Sequence, residues 1–370
     1  MLDVKFKLLP GHTSERSWLE PSPLNVIYWN VTYACNFRCD ICFADAGAGL
    51  PDELTTAEAL RLVDQAAVCG VKDIIISGGE PFARPDLLEI LARMGQRGVT
   101  GRVATNGSLL DADLLKRLRD ETEVTSFQVS IDCLDPELYA ELHGTTPGML
   151  DHVLRTLRLM QEQEFHTTVS TRLAPATLPG IPALLDRSLK EGWSTLTVHI
   201  PVHTHRAEGA FAQDADALST LEPALEHFAR MPGKWLVETY IPWAQYHPLM
   251  VRMADKVRII HRGCRAGRDR LAVHPDGTIS PCVCMDVPQA RLGNVRQDDL
   301  ADVFENSPLC EILRHPLEHG LCEDCPHVLT CGGGCRSAAI ALTGEFDGQD
   351  LSCPVRQLRA TVARAACCGR

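Results

Sequence analysis

Hydrophobic and polar positions along the first two thirds of the chain alternate between two periods. Short apolar runs such as "DIIIS" are typical of buried strands, whereas "TTAEALRLVDQAAV" spaces its apolar residues as an amphipathic helix does. Thr or Pro near helix starts and Gly at helix ends mark the boundaries. From residue 26 to 230 this pattern predicts six strand–helix units. The strands are predicted at "VIYWNVTYA", "KDIIIS", "GRVATNG", "VTSFQVSID", "HTTVSTRLA" and "STLTVHIPV".

Repeated strand–helix units imply an α/β fold with a parallel sheet and right-handed crossovers. Six units form either an open, doubly wound sheet or a partial (β/α)6 barrel of the TIM type. Both architectures place their sites at the C-terminal ends of the strands. We therefore expect the residues that follow "VTYA", "IIIS", "VAT" and "QVSID" to face one shared cavity.

The composition changes to Gly, Pro and Cys from residue 261 onward. In this region "DRLAVHPDGTISPC" predicts a β-hairpin with "PDG" at its turn. A small core organised around metal suits such a segment, because it lacks the apolar residues for a large core. The predicted organisation is an N-terminal extension (1–24), an α/β core (25–230), a connector with a helix (231–260) and a small cysteine-rich domain (261–370).

The overall composition is that of an ordinary globular protein, with 370 residues of which 45% are hydrophobic and 23% charged. The net charge of −12 argues against a nucleic-acid-binding protein, which would present a basic surface. The N-terminal "MLDVKFKLLPGH" lacks the apolar run of a signal peptide, and no stretch approaches the ~20 apolar residues of a membrane span. We therefore expect a soluble, cytoplasmic protein that binds neither nucleic acid nor membrane.

Sixteen cysteines are unusual for such a protein. Because cytosolic thiols stay reduced, they point to metal or redox chemistry rather than to disulfides. Three cysteines form a group at positions 35 to 42, two are isolated, and the other eleven lie from Cys264 onward.

The first group, "CNFRCDIC", directly follows the first predicted strand. Thiolates at this spacing, Cys35, Cys39 and Cys42, can ligate three irons of a four-iron cluster. The fourth iron would then be open to a substrate, as one position is at a catalytic zinc. The alternative is a zinc site that a distant residue completes.

This cysteine motif, with Ile41 before its last cysteine, resembles that of the radical S-adenosylmethionine (radical SAM) superfamily. "SGGEP", "ATNG" and "SID" at the ends of the second, third and fourth strands are similar to motifs at the same places in that family. The resemblance covers roughly residues 25 to 230. It implies a partial barrel that binds a catalytic 4Fe–4S cluster and S-adenosylmethionine (SAM).

The resemblance also implies a chemistry. The open iron would chelate the amino and carboxylate groups of SAM, and one electron would break the sulfur–C5′ bond. The resulting 5′-deoxyadenosyl radical would abstract hydrogen from an unactivated carbon, while the protein positions the reactants and excludes water and oxygen. A low-potential donor such as flavodoxin or ferredoxin would supply the electron.

The matching motifs imply which residues contact SAM. The implied contacts to the amino group of its methionine moiety are Gly78, Gly79, Glu80 and Pro81. Glycines permit close backbone approach, and a carboxylate suits an ammonium. The other implied contacts are Asn106 in "ATNG", Ser130 and Asp132 for the ribose or the substrate, and Arg172 for the methionine carboxylate.

The later cysteines resemble the seven-cysteine pattern of the SPASM extension of radical SAM enzymes, which carries auxiliary iron–sulfur clusters. By this resemblance, the ligands of an outer 4Fe–4S cluster would be Cys322, Cys325, Cys331 and Cys353, and those of an inner one Cys264, Cys282 and Cys335. The fourth ligand of the inner cluster is Cys284, Cys310 or an open or non-cysteine position, of which we favour the last. The alternative for the whole segment is a pair of zinc ribbons, which use similar Cys-x2-Cys spacing.

Other residues carry weaker signals. Cys133 directly follows "SID", where family members commonly have Gly. It is either the hydrogen-atom donor of a redox-neutral epimerase or a small buried residue that fills space. The three histidines of "VHIPVHTHR" are substrate contacts or part of a solvated loop. The two cysteines of "AACCGR" receive no role.

The resemblance gives a reaction class and leaves two substrate classes. The commonest role of SPASM enzymes is maturation of a ribosomally made peptide or peptide-derived cofactor, which we predict here. Only 34 residues precede Cys35, so leader recognition would need a separate leader-binding protein. The alternative is radical tailoring of a sugar or sugar-nucleoside. "GGEP" in its proper place argues against a non-enzymatic redox or zinc-binding scaffold.

Overall fold

The computed structural model describes residues 2–7, 22–202, 217–233, 236–316, 318–319, 321–322, 325–350 and 352–355. The interpretations of His203, His205, Cys367 and Cys368 therefore lie outside the described residues. Within the described part of the chain, no helix combines the length and the apolar character that a membrane span requires.

Strands and helices alternate from residue 26 to residue 230. The strands are β1 (Leu2–Lys7), β2 (Val26–Asn30), β3 (Asp73–Ser77), β4 (Thr100–Thr105), β5 (Val124–Ser130), β6 (His166–Arg172), β7 (Thr195–Ile200), β8 (Leu236–Thr239), β9 (Arg258–His261), β10 (Arg270–Val273), β11 (Thr278–Ser280) and β12 (Gly293–Asn294). The α-helices are α1 (Thr56–Val68), α2 (Leu87–Gln96), α3 (Ala112–Glu121), α4 (Pro136–His143), α5 (Gly148–Glu162), α6 (Ile181–Glu191), α7 (Glu222–Arg230), α8 (Pro248–Met253), α9 (Leu300–Asn306), α10 (Pro308–Arg314), α11 (Val328–Cys331) and α12 (Arg336–Thr343).

The predicted α/β core is confirmed. Strands β2 to β7 are parallel neighbours in sequence order, and each is followed by a helix. The sheet curls, because Tyr28 on β2 and Tyr240 just after β8 line the same cavity. Arg270 on β10 lies 6.0 Å from the centre of the Tyr240 ring, across the opening between the sheet ends. The six units therefore form a partial barrel rather than an open sheet.

Side chains along the barrel strands alternate between the helices and the inside. On β3, Ile74 and Ile76 are fully buried in the core that the helices cover, whereas Ile75 lines the cavity. On β5, Ser126 and Ser130 are on the cavity side. The outer face of the sheet thus supplies the apolar surface that drives folding, and the inner face is free to carry polar groups.

The N-terminal segment contributes a strand that the prediction for residues 1–24 lacks. β1 lies between β7 and β8 and is antiparallel to both. Val4 and Phe6 are fully buried in the core, whereas Lys5 lines the cavity. The sequence "LDVKFK" has the period of two of a strand, but its charged positions make it resemble an exposed segment.

The hairpin predicted at "DRLAVHPDGTISPC" is confirmed as the antiparallel pair β10 and β11. β10 also pairs in parallel with β2, so the sheet order is β12-β11-β10-β2-β3-β4-β5-β6-β7-β1-β8-β9. The cysteine-rich segment therefore extends the barrel sheet instead of folding away from it.

A short helix, α4, follows β5 and was not predicted. The Asp135 side chain caps its start by accepting a hydrogen bond of 2.8 Å from the Leu138 backbone. Pro136 occupies the first turn, and Gly144, with φ of 60°, ends the helix in the left-handed conformation. These signals place His143 at the last position of α4, close to the loop that follows β2.

Replacement of Phe6 with alanine tests whether β1 is an integral part of the fold. Its ring meets that of Phe228 edge-on, with ring centres 5.1 Å apart. We expect Phe6→Ala to lower the free energy of unfolding by about 3–5 kcal/mol, because the neighbouring side chains cannot fill the space left behind. Urea unfolding measures the effect. Val68→Ala, at a position of α1 that is 89% exposed, is the control; equal effects of the two variants would contradict the placement of β1 in the core.

Candidate active site

A cavity of about 410 Å³ lies inside the barrel. It is lined by the inner faces of the barrel strands, by the loop after β2, and by Val283 and Cys284 of the cysteine-rich segment. The predicted site residues that line it are Cys35, Cys39, Cys42, Gly78, Gly79, Asn106, Ser130, Asp132 and Arg172. Of the other residues predicted to contact SAM or to act in catalysis, Glu80, Pro81 and Cys133 are buried and do not line the cavity. The expectation of one shared cavity is therefore confirmed for the residues that follow the first three strands, whereas Cys133, which follows "QVSID", does not line the cavity.

The loop from Val31 to Leu54, which we call the cysteine loop, carries the first three cysteines and contains almost no regular structure. Arg84 fixes both ends of this loop, since its guanidinium donates to the carbonyls of Val31 and Leu54 at 2.8 Å each. Asp86 accepts from the same guanidinium at 2.7 Å, and the arginine is only 8% exposed. Because buried carbonyls need partners, this one side chain determines where the loop leaves and rejoins the barrel.

Gly78 and Gly79 bring the loop after β3 against the cysteine loop. The Gly79 N–H donates to the Thr32 carbonyl at 2.8 Å. A β-carbon at Gly78 would lie 2.3 Å from the Thr32 carbonyl oxygen, and one at Gly79 would lie 2.3 Å from that of Ala34. Gly78 also has φ of 132°, which side chains rarely tolerate. The contact between the two loops therefore requires both glycines, whatever else they bind.

Glu80 is fully buried, and its carboxylate is hydrogen-bonded within the protein. It accepts from Thr105 Oγ1 at 2.7 Å, from the Asn106 N–H at 2.8 Å and from the Phe82 N–H at 3.1 Å. Burial raises the pKa of Glu80 to about 7, although these three donors lower it. Glu80 therefore joins the loops after β3 and β4, and its contact with the methionine ammonium stays a prediction.

Asn106 and Ser130 lie at the ends of β4 and β5 on the cavity side. The Asn106 side chain donates to the Asn36 side-chain oxygen at 2.9 Å, and the Asn36 amide donates to Ser108 Oγ at 2.8 Å. Asn106 therefore connects the end of β4 to the cysteine loop, next to the first cysteine.

Asp132 and Arg172 form a buried ion pair at the ends of β5 and β6. Arg172 Nη2 lies 2.5 Å from Asp132 Oδ2, and the Arg172 N–H donates to Oδ1 at 2.6 Å. Burial raises the pKa of Asp132, but Arg172 and His143 outweigh it and hold this pKa well below its usual range. Arg172 Nη1 also donates to the Ile41 carbonyl at 3.3 Å. The pair thus ties the cysteine loop to two strand ends, and the contact of Arg172 with a methionine carboxylate stays a prediction.

His143 links this ion pair to a predicted cluster cysteine. Its Nε2 lies 3.1 Å from Asp132 Oδ2, and its Nδ1 lies 3.3 Å from Cys39 Sγ. Burial lowers the pKa of His143, but Asp132 and Cys39 raise it by more. Burial also raises the pKa of Cys39, yet His143 and Arg172 bring it below its ordinary value. Burial raises the pKa of Cys35 to about 11, so Cys39 ionises more readily to the thiolate that a metal requires.

Cys133 is packed in the core of the barrel. It is 3% exposed, and its Sγ contacts the Asp135 carbonyl at 3.5 Å. It belongs to the hydrophobic cluster that the helices cover and is not among the residues lining the cavity. This position favours the space-filling alternative and gives the hydrogen-donor interpretation no geometric support.

The side of the cavity formed by β7, β1 and β8 is charged. His199 Nδ1 lies 2.7 Å from Asp3 Oδ1, and its Nε2 lies 3.2 Å from the Gln128 side-chain nitrogen. Burial raises the pKa of Asp3, but His199 outweighs it and holds this pKa well below its usual range. Lys7 pairs with Glu238 at 2.6 Å. His199 is therefore a cavity residue rather than part of a solvated loop.

The predicted outer ligand set, Cys322, Cys325, Cys331 and Cys353, lies in the C-terminal segment. The Cys325 N–H donates to the Cys322 carbonyl at 2.8 Å. Burial raises the pKa of Cys331 to about 12, and nearby Cys353 and Cys322 raise it further. These neighbours place the outer cysteines in one group.

The predicted inner set consists of Cys264, Cys282 and Cys335. Cys264 and Cys282 line a second cavity of about 40 Å³ beside the first. The Cys335 N–H donates to Asp350 Oδ2 at 2.8 Å. Burial raises the pKa of Cys335 to about 12, and the nearby Asp350 and Cys264 also raise it. The inner cysteines therefore form a second group.

Cys284 lies with this inner set. Its thiol is hydrogen-bonded to the sulfur of Cys282, which raises the pKa of Cys284 and lowers that of Cys282. Cys335 is a further neighbour. Cys310 is fully buried on α10, and burial raises its pKa to about 11. Of the two cysteines considered as the fourth inner ligand, the geometry thus groups Cys284 with the others.

Arg84 and His143 hold the site together and were missed by the sequence-based prediction. Arg84 follows "GGEPFA" directly, and His143 precedes a Gly that is typical of a helix end. Neither signal reveals the partners, because Val31 and Cys39 lie 53 and 104 positions away in sequence.

Two family models match separate parts of the chain. Residues 29–182 match the model of the radical SAM superfamily, and residues 264–326 match that of the SPASM iron–sulfur cluster-binding domain. Domains of these two kinds imply 4Fe–4S clusters and binding of SAM.

Curated relatives match the chain over most of its length. An AdoMet-dependent heme synthase of Methanosarcina barkeri is 28% identical over 90% of this chain and 96% of its own. A PqqA peptide cyclase of Granulibacter bethesdensis is 28% identical over 91% of this chain and 88% of its own. The mycofactocin maturase MftC of Mycobacterium tuberculosis is 27% identical over 91% of this chain and 84% of its own.

Solved structures share the fold. Streptococcus suis SuiB bound to the precursor peptide SuiA has a TM-score of 0.65 at 20% identity, covering 90% of this chain and 76% of that one. The enzyme anSMEcpe with bound AdoMet also has a TM-score of 0.65, at 15% identity over 91% of this chain and 95% of that one.

Replacement of Arg84 with methionine tests how the cysteine loop is held. We expect Arg84→Met to lower the free energy of unfolding by about 2–4 kcal/mol, because two buried carbonyls lose their donor. Hydrogen exchange of the amides in residues 31–54 should speed up as well. Arg93→Met, which breaks a surface ion pair with Asp64, is the control and should cost less than about 1 kcal/mol. A loop that exchanges equally in both variants would contradict the role of Arg84.

Proposed function

Because the chain belongs to the radical SAM superfamily and carries a SPASM domain, we propose that it is an enzyme that cleaves SAM reductively and abstracts hydrogen from an unactivated carbon of a ribosomally made peptide. One observation carries this proposal. Three thiols on the cysteine loop open onto the same cavity as the ends of four barrel strands.

The donor set fits a catalytic 4Fe–4S cluster. Cys35, Cys39 and Cys42 would hold three irons, and the cavity beside them has room for SAM. The cluster and SAM together supply the 5′-deoxyadenosyl radical. His143 positions Cys39, because its Nδ1 lies 3.3 Å from the Cys39 sulfur.

The residues at the strand ends would bind SAM. Gly78 and Gly79 expose backbone at the cavity wall, and Glu80 lies directly behind them. Arg172 would receive the methionine carboxylate with the part of its guanidinium that Asp132 does not occupy. Asn106 and Ser130 lie between these groups on the same side of the cavity.

We further propose two auxiliary 4Fe–4S clusters, with the outer ligands Cys322, Cys325, Cys331 and Cys353 and the inner ligands Cys264, Cys282, Cys284 and Cys335. The position of Cys284 beside Cys282 and Cys335 supports it as the fourth inner ligand, in place of the open position favoured from the sequence. This choice brings the inner cluster to the wall of the active-site cavity, because Cys284 lines that cavity.

The substrate assignment rests on relatives. A PqqA peptide cyclase, a mycofactocin maturase and a structure with a bound precursor peptide are all similar to the chain. We propose a reducing partner of low potential, such as flavodoxin or ferredoxin, a separate leader-binding protein, and action in the cytoplasm, where thiols stay reduced.

A second candidate is formation of a heme-type tetrapyrrole. It is favoured by the similarity to a heme synthase over nearly the whole length of both proteins. Tailoring of a sugar or sugar-nucleoside, the alternative raised from the sequence, is a third substrate class. The assay described below tests all three classes.

Simultaneous replacement of Cys35, Cys39 and Cys42 with alanine tests the catalytic site. We expect 5′-deoxyadenosine formation to be abolished, and the iron content to fall from about twelve to about eight per chain, since three sets of cluster ligands become two. Mass spectrometry and iron analysis of the anaerobically reconstituted protein measure both. Cys69→Ala removes an isolated cysteine at the end of α1 and should change neither. Reductive cleavage of SAM by the triple variant would refute the proposal.

The same reconstituted protein distinguishes the substrate classes. A precursor peptide encoded by a neighbouring gene should change mass only with SAM and a reductant present. Conversion of an iron tetrapyrrole or a sugar nucleoside with no change in the peptide would replace the first candidate.

Separate replacement of Cys284 and of Cys310 with alanine tests which of the two is a ligand of the inner cluster. Cys284→Ala should lose iron and change the electron paramagnetic resonance signal of the reduced protein, because a cluster ligand is missing. Cys310→Ala should keep iron and signal and only lower stability, as a cavity-forming change does. Loss of iron from Cys310→Ala alone would assign the fourth position to Cys310.

A further inference from the structure

Strand pairing places a row of polar side chains across the inside of the barrel. The register pairs Ser130 with Ser170 and Ser170 with Thr197. Thr197 in turn pairs with Lys5 on β1, and Lys5 pairs with Glu238 on β8. All five side chains line the cavity.

Lys5 is the cation in this row, and no carboxylate among the described residues forms an ion pair with it. Its ammonium lies 4.7 Å from the centre of the Tyr240 ring. The other lysines and arginines that line the cavity are each paired, namely Lys7 with Glu238, Arg102 with Asp73 and Arg172 with Asp132. Burial lowers the pKa of Lys5, but Tyr240, Tyr28, Asp3 and Glu238 together raise it by more, so the group is charged.

Thr197, the cross-strand neighbour of Lys5, carries a hydroxyl without a partner. Its side chain is fully buried, and within the described part of the chain its Oγ1 makes no hydrogen bond. An unpaired buried hydroxyl reduces stability. The strand register pairs Thr197 with Lys5, and both residues line the cavity, so one ligand bound at this wall would complete both groups.

We propose that Lys5 and Thr197 form a subsite for a carboxylate of the substrate. The ammonium supplies the opposite charge, and the hydroxyl donates a second hydrogen bond. One cation and one neutral donor suit the single charge of a carboxylate better than the double charge of a phosphate. Asp3 and Glu238 do not neutralise the site, because Asp3 is paired with His199 and Glu238 is paired with Lys7 and Arg262.

The position of the subsite suits the substrate rather than SAM. The proposed SAM contacts lie at the ends of β3 to β6, whereas Lys5 and Thr197 lie on β1 and β7, further along the sheet. Lys5 also lines the smaller cavity that Cys264 and Cys282 line. A bound carboxylate would therefore lie between the catalytic cysteines and the inner set. That this carboxylate belongs to a peptide rests on the proposed function.

Equilibrium dialysis of radiolabelled benzoate, with SAM present, tests the subsite in the reconstituted full chain. Benzamide has nearly the same shape without the charge. We expect benzoate to bind about tenfold more tightly than benzamide, and Lys5→Met to remove this preference, because a charge-assisted hydrogen bond is lost. Lys5→Arg should restore most of it. Thr197→Val should weaken benzoate binding by about fivefold, as expected for one neutral donor.

Two controls separate binding from folding. Thr195→Val changes the next cavity-facing residue of β7 and should leave benzoate binding unaltered. Thr197→Val should unfold at the same or a higher urea concentration than the wild type, because a methyl group replaces an unpartnered hydroxyl. A protein that is at least as stable yet binds benzoate less well has lost a ligand contact rather than its fold.

The outcomes against the proposal are distinct. Equal binding of benzoate and benzamide, or unchanged benzoate binding by Lys5→Met, would overturn the subsite. Weaker SAM binding by Lys5→Met, with displacement of benzoate by SAM, would assign the cation to SAM. If inorganic phosphate displaced the labelled benzoate at a lower concentration than unlabelled benzoate does, the choice of a carboxylate as the ligand would be overturned. Failure of the wild type to form 5′-deoxyadenosine while it still binds benzoate would refute the proposed function and leave the subsite standing.

Discussion

Close approach of two backbone segments is the constraint on which the site depends. The cysteine loop has almost no internal regular structure, so its position must come from its neighbours. Gly78 and Gly79 let the loop after β3 contact the carbonyls at its start, and Arg84 holds both of its ends. A side chain at either glycine would push the cysteines away from the strand ends. The segment "SGGEPFAR" therefore holds the cysteine loop in position, whether or not a ligand is bound.

Three charged side chains buried beside this loop compensate one another. Asp132, Arg172 and His143 form a connected set, and the set reaches the cysteine loop through Cys39 and the Ile41 carbonyl. Loss of Asp132, which contacts both of the other residues, would leave Arg172 without its buried counter-charge, and this costs far more than the net gain of an intact pair. The same logic applies across the cavity, where Asp3 is held by His199. Lys5 differs from these residues, because it forms no ion pair with a carboxylate among the described residues. For this reason we assign it to ligand binding rather than to the stability of the fold.

The sequence alone was enough for elements whose signals are local. The six strand–helix units, the "PDG" hairpin and the position of the cysteine loop at a strand end follow from periodicity, turn residues and motif spacing. Long-range pairing left no such signal. β1 joins the sheet through polar side chains that face a cavity, and β10 pairs with β2 across more than 200 positions. Glu80 shows a related limit, since a motif indicates that a carboxylate is present but not that three protein donors already surround it.

The pairing of β10 with β2 also changes how the C-terminal cysteines relate to the barrel. A domain tethered by a linker could carry its metal sites at any distance from the cavity. Here the β10–β2 hydrogen bonds fix the hairpin from which Cys282 and Cys284 follow. The cysteine loop is bound to the same region, because Leu54 donates to the Pro275 carbonyl at 2.7 Å and Tyr33 donates to Asp286 at 2.7 Å. The cysteine loop and the hairpin that leads to Cys282 and Cys284 are thus both attached to one continuous sheet, and the loop and Cys284 line the same cavity.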